Sequence, residues 1–123
     1  MSRVIHFEIR SDNPDKIVAF YEKALGWKFS KWEGPVKYWL ISTGDPATPG
    51  IDGGLGELTP GFPATVNTLD VTNLDEALAK VKQYGGKVVW EKDAVPGVGW
   101  LAYCQDPDGT IFGMMQNDPK AGM

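Results

Sequence analysis

A chain of 123 residues with 42 % hydrophobic and 23 % charged residues has the size and make-up of one globular domain and is too short for a second large catalytic one. Its net charge of −4 supplies no basic face for a phosphate backbone, so nucleic acid is not an expected partner. The longest apolar run, Ile17 to Tyr21, is far below the ~18 residues of a membrane span. No leader-like stretch opens the chain and Cys104 stands alone, so a soluble protein of a reducing cytoplasm is expected.

Val4 to Ile9 alternates, with Ile5, Phe7 and Ile9 on one side and Val4, His6 and Glu8 on the other, the period of a half-buried strand. Ser11-Asp12-Asn13-Pro14-Asp15 then reads as a helix start with a capping side chain, and Ile17, Phe20, Tyr21, Ala24 and Leu25 follow at helical spacing until Gly26 stops the helix. Trp27 to Lys31, Val36 to Ser42 and Gly50 to Leu55 are three further strands. After a linker rich in proline and glycine, the order recurs. Thr65 to Val71 is a strand, Asn73 caps a helix whose apolar stripe is Leu74, Ala77, Leu78, Val81 and Tyr84, and Gly85-Gly86 ends it. Lys87 to Trp90, Gly99 to Cys104 and Thr110 to Gln116 complete the set, the last two joined by the turn Asp106-Pro107-Asp108-Gly109.

The recurrence is also written in the residues. At an offset of 60, Asn13 matches Asn73, Gly26 matches Gly86 and Gly53 matches Gly113; at 61, Trp39-Leu40 matches Trp100-Leu101. The expected fold is therefore α+β, one domain of two tandem βαβββ units spanning 3–56 and 62–117 with linker 57–61. If each helix covers one face of its sheet, the other faces are free for the opposite half. Two curved mixed sheets facing each other would then enclose a cleft lined by Val4, His6 and Glu8 and by Val66, Thr68 and Asp70, a setting suited to a small-molecule ligand.

The order of elements, the repeat, and the phrases His6-Phe7-Glu8-Ile9, Leu25-Gly26-Trp27 and Asp106-Pro107-Asp108-Gly109-Thr110-Ile111-Phe112-Gly113 together resemble the vicinal oxygen chelate superfamily of glyoxalase I, extradiol dioxygenases and bleomycin resistance proteins. The set Leu74-Asp75-Glu76-Ala77, Gly85-Gly86-Lys87-Val88 and Val95-Pro96-Gly97 looks like its glyoxalase-like branch of small bacterial proteins. The resemblance implies a homodimer, and a divalent metal held by one side chain on the first and one on the last strand of each unit. Those positions fall on His6, Val66, Gly53 and Gly113, so His6 is the only matching ligand. A catalytic zinc or iron site needs about three protein ligands, and no resident metal or other cofactor is expected, although Glu8, Asp52 and Asp70 offer oxygens to a weakly held ion.

His6, the only histidine, is the candidate acid or base near neutral pH, with Glu8 as its neighbour, for an isomerase or lyase step beside a carbonyl. Gly53 and Gly113 are expected to clear room for a ligand where chelating carboxylates stood. Tyr38, Trp39, Trp100 and Tyr103, with Val66 and Thr68, are the pool from which the ligand-binding wall is drawn. The competing reading is a drug-sequestering protein of the bleomycin-resistance type, with a cation held near Glu8 or Asp70. Val95 to Gly99 lacks the residues of a phosphate loop and reads as a mobile rim, and Cys104 reads as a buried structural thiol.

Overall fold

The computed structural model describes residues 2–123. The chain folds as β1 (Val4–Ser11), α1 (Pro14–Leu25), β2 (Lys28–Lys31), β3 (Tyr38–Ser42), β4 (Asp52–Glu57), β5 (Thr65–Asp70), α2 (Leu74–Gln83), β6 (Lys87–Val95), β7 (Gly99–Gln105) and β8 (Ile111–Asn117). This is the twice-repeated βαβββ order, and both halves share one topology. In the first, β1 runs parallel to β4, which is antiparallel to β3, which is antiparallel to β2. In the second, β5 runs parallel to β8, followed by antiparallel β7 and β6. Each sheet is therefore mixed. Two compact units result, one of His6–Val66 and one of Asn67–Met123 joined by the N-terminal residues through Ile5. The division falls inside β1, since the Arg3 carbonyl accepts a hydrogen bond from the Asp70 backbone N–H at 2.9 Å.

In the His6–Val66 unit, α1 starts at Pro14 with Asp15 in its first turn, where proline needs no hydrogen-bond partner and an acid meets the positive end of the dipole. Asn13 makes no side-chain cap; instead the Ser11 hydroxyl accepts from the Asn13 N–H at 3.0 Å. Gly26 closes the helix at φ 73°, a conformation that costs a residue with a Cβ. The helix buries Ile17 and Val18 against Phe7, Ile9, Trp27, Phe29, Trp39, Ile41 and Leu55. Tyr21 stacks on Trp27 with centroids 4.6 Å apart, whereas Phe20 and Leu25 are each 58 % exposed and lie off the expected stripe.

In the second unit the Asn73 side chain does cap its helix, accepting from the Glu76 N–H at 3.0 Å. Leu74, Leu78, Ala77 and Val81 pack on Leu69, Val71, Ala102, Cys104, Phe112 and Met114, while Tyr84 is exposed. Strand β6 runs five residues beyond the expected Trp90, with register shifts between Val88 and Asp93 marking bulges. The segment expected to be a mobile rim is a hydrogen-bonded turn between β6 and β7: Val98 N–H bonds to Val95 and Gly97 N–H to Ala121 of the C-terminal segment. Cys104 is fully buried and burial pushes its thiol up to about 11, as suits a structural residue.

Strand alternation makes the faces of β4 testable. A Cβ on Gly53 would lie 2.5 Å from the Phe7 ring, which is held in the core beside Trp27, whereas one on Gly56 would rest in ordinary contact 3.4 Å from Tyr38. Gly53→Ala is expected to lower stability by about 1–3 kcal/mol, the usual cost of overpacking. Gly56→Ala is expected to change it by under about 0.5 kcal/mol. Urea unfolding of the two variants checks the contrast.

Candidate functional site

Because Phe7 and Ile9 of β1 point to α1, strand alternation sends His6, Glu8 and Arg10 to the opposite face. The same parity on β4 places Leu55 and Gly53 on the helix side and Asp52, Gly54 and Gly56 with His6. On β3 it places Trp39 and Ile41 in the core and Tyr38 and Leu40 on the His6 face. Three of the residues expected beside the ligand are placed on the helix side instead. Trp39 is a core residue of the first unit, and Gly53 lies under the Phe7 ring, because Leu55 two residues on fixes the parity of the strand. In the second unit Trp100 also packs on the helix side, its indole N–H donating to Asp118 at 3.1 Å.

What the structure brings together around His6 is compact. His6 Nε2 lies 3.3 Å from the Tyr38 hydroxyl. The Tyr38 hydroxyl fills the space beside Gly54, where any Cβ would collide with it. Glu8, only 6 % exposed, does not serve as a free partner for His6: its Oε2 accepts from Arg10 Nη2 at 2.7 Å. Arg10 in turn donates from Nη1 to Thr59 at 3.0 Å and lies 5.1 Å above the centroid of the Phe62 ring. Asp52, opposite His6 in the β1–β4 register, accepts from the Thr43 N–H at 2.9 Å. Both carboxylates nearest His6 in register are therefore already engaged.

Burial pushes the His6 imidazole below its ordinary value of 6.5, against upward pulls from Glu8 and then Asp52. Burial also raises the Tyr38 phenol well above its usual range, with the Glu8 charge adding and Arg10 opposing. Near neutral pH the site therefore pairs a neutral imidazole with a protonated phenol.

On β5, Val66 and Thr68 share one face by alternation, and Tyr103 and Gly113 of the second unit lie on the face of Thr68. Val66 and Thr68 are buried, and Thr68 Oγ1 has no hydrogen-bond partner among the described residues. A Cβ on Gly113 would lie 3.1 Å from that hydroxyl and 3.2 Å from the Tyr103 ring. Sequence reasoning missed the roles of Gly54, Arg10 and Thr59. Arg10 had a signal, since it continues the alternation of His6 and Glu8; Thr59 had none.

The donor set does not fit a divalent metal. Among the described residues no group of three or more His, Cys, Asp or Glu side chains could hold one. The imidazole nitrogen at the site is engaged with a phenol, and the Glu8 and Asp52 carboxylates with Arg10 and Thr43. No helix of the described residues is long and apolar enough to cross a membrane.

The twice-repeated βαβββ order defines the class of fold, and the comparison with known families agrees. The profile of the Glyoxalase/Bleomycin resistance protein/Dioxygenase superfamily matches residues 3–114, and the chain belongs to that superfamily. CFP32, a protein of Mycobacterium tuberculosis and Mycobacterium bovis named as a glyoxylase, is 31 % identical over 116 residues, 92 % of this chain. The match takes in 43 % of CFP32, so the chain spans less than half the length of these relatives. Among solved structures, the hypothetical protein BH1468 of Bacillus halodurans superposes with a TM-score of 0.70 at 17 % identity, covering 99 % of both chains. A point variant of the methylmalonyl-CoA epimerase of Streptomyces coelicolor, in complex with 2-nitronate-propionyl-CoA, does so at 0.70 and 15 %, covering 98 % of both. The epimerase of M. tuberculosis gives 0.67 and 16 %, covering 94 % of this chain and 87 % of its own. At these identities the likeness is one of fold.

The depressed His6 value has a measurable consequence. Well above pH 6.5 the imidazole is neutral in folded and unfolded chains alike, and its contribution is constant. Below 6.5 the unfolded chain takes up a proton that the folded chain resists, so stability falls on acidification until the folded value is passed. Relative to a His6→Asn variant, the wild type is expected to lose stability as the pH falls through and below 6.5, as read by urea midpoints. Relative gain on acidification would mean an imidazole stabilised in its charged form.

Proposed function

We propose that this chain binds a small carbonyl compound on the His6 face and moves a proton on the carbon next to the carbonyl, as an isomerase or lyase that works without a resident metal. The observation that carries the reading is the His6–Tyr38 contact at 3.3 Å, a neutral base and a protonated donor side by side away from the helix. In the free protein the phenol and Nε2 satisfy each other. A substrate oxygen that takes over the Tyr38 O–H leaves Nε2 open to the neighbouring C–H. The C–H bond breaks, its proton goes to Nε2, and its electron pair moves through carbon to the carbonyl oxygen, which the Tyr38 O–H stabilises as an enolate. Return of the proton from the imidazolium to a neighbouring carbon on the same face gives an isomer; loss of a leaving group from the carbon beyond the enolate gives a lyase product. Glu8, fixed by Arg10, acts through its charge on His6 and belongs to the positioning of the base.

The drug-sequestering alternative has less support, because the Glu8 carboxylate that would receive a cation is buried and bonded to Arg10 at 2.7 Å. The fold shared with methylmalonyl-CoA epimerases makes 2-substituted acyl thioesters the first probes. Exchange of the α-proton for deuterium, followed by NMR on methylmalonyl-CoA and a panel of 2-substituted thioesters and ketones, tests the proposal. Chelator-treated wild type is expected to exchange at least one of them. His6→Asn is expected to lose about 10²–10⁴-fold in rate and Tyr38→Phe about 10²–10³-fold. Full exchange by His6→Asn, or exchange abolished by the chelator, overturns it.

A further inference from the structure

The glycine of β4 that shares the face of His6 is Gly54, not Gly53. In the second unit, Gly113 of the last strand stands opposite Thr68 of the first. In the first unit the residue matching Thr68 is Glu8, and it stands opposite Gly54. Gly54 is therefore the structural counterpart of Gly113, on the same strand face as His6. At both places a tyrosine of the adjoining third strand lies over the glycine: Tyr38 over Gly54 and Tyr103 over Gly113. In the first unit the overlap is complete, for the Tyr38 hydroxyl sits where the Cβ of any residue at position 54 would begin. The same hydroxyl engages His6 Nε2, so it covers the imidazole nitrogen and the room beside Gly54 together.

We infer that Tyr38 is the specificity-determining residue that excludes divalent metal from the His6 site, and that Gly54 and Tyr38 act as a coupled pair in which the phenol occupies the room of a chelating carboxylate. The inference does not depend on the proposed catalysis. It concerns only which groups can surround His6. Removing the phenol alone leaves one imidazole, too few ligands for a firm site. Adding a carboxylate alone forces it against the phenol. Only the two changes together create a His–Glu pair with room for an ion, so the gain in affinity should be non-additive.

The test is a double-mutant cycle in metal binding, using Co²⁺ and the shift of the His6 ring protons by NMR near neutral pH, with folding verified by circular dichroism. Wild type, Tyr38→Ala and Gly54→Glu are expected to bind comparably weakly, and Tyr38→Ala/Gly54→Glu about tenfold or more tightly. Three results each overturn the inference: stoichiometric Co²⁺ on His6 in the wild type, a Gly54→Glu single variant as tight as the double, or a folded double variant no tighter than wild type. Should the double variant fail to fold, modification of the sole histidine by diethyl pyrocarbonate decides. Several-fold faster reaction in Tyr38→Ala than in wild type supports a capped nitrogen, and equal rates contradict it.

Discussion

The two-faced character of β1 is the constraint on which the rest depends. Phe7 and Ile9 are drawn into the core beneath α1 with Trp39, Ile41 and Leu55, and the pleat then leaves no choice for His6, Glu8 and Arg10. A one-residue slip would send the imidazole into the apolar core and Phe7 to the polar face. Since burial of a large apolar side chain is worth about 1.5–3 kcal/mol, the register is strongly held by Phe7 and Ile9 alone. The polar face is held in turn by its own bonds. Arg10 neutralises Glu8 at 2.7 Å and is steered by Thr59 and Phe62, which lets a carboxylate be buried next to a neutral imidazole.

The same parity explains how a chain of the superfamily can keep its scaffold whatever its polar face carries. The scaffold needs only the apolar stripes, the caps and the turns, all of which are present in both halves. The metal site needs particular side chains on the other face, and these are free to change without disturbing the core. In both halves a glycine of the last strand, Gly54 or Gly113, has a tyrosine beside it, Tyr38 or Tyr103. Burial raises the Tyr38 phenol still further from ionisation, so on this face it is a hydrogen-bond donor.

Much of the fold was legible in the sequence because it is encoded by local chemistry repeated twice: alternating strands, capped helices and the Asp106-Pro107-Asp108-Gly109 turn. The face of His6 was legible for the same reason. The faces of Trp39 and Trp100 were not, since aromatic side chains suit either side of a strand and only pairing with Leu55 and Gln116 fixes their register. Asp52-Gly53-Gly54 carries no alternation of its own, and only the register of β4 against β1 shows that Gly54, rather than the expected Gly53, shares the face of His6. On α1, apolar residues occur around more than one face, and the buried stripe turned out to be Ile17, Val18 and Tyr21 rather than one including Phe20 and Leu25.

The protonation and tautomer of the single histidine probe this arrangement most directly. In a ¹⁵N-labelled sample near neutral pH, long-range imidazole correlations should show a neutral ring protonated at Nδ1, with Nε2 accepting from Tyr38 and changing its shift in Tyr38→Phe. A charged imidazolium, or a ring whose Nε2 shift is unmoved by loss of the phenol hydroxyl, would contradict the site described here.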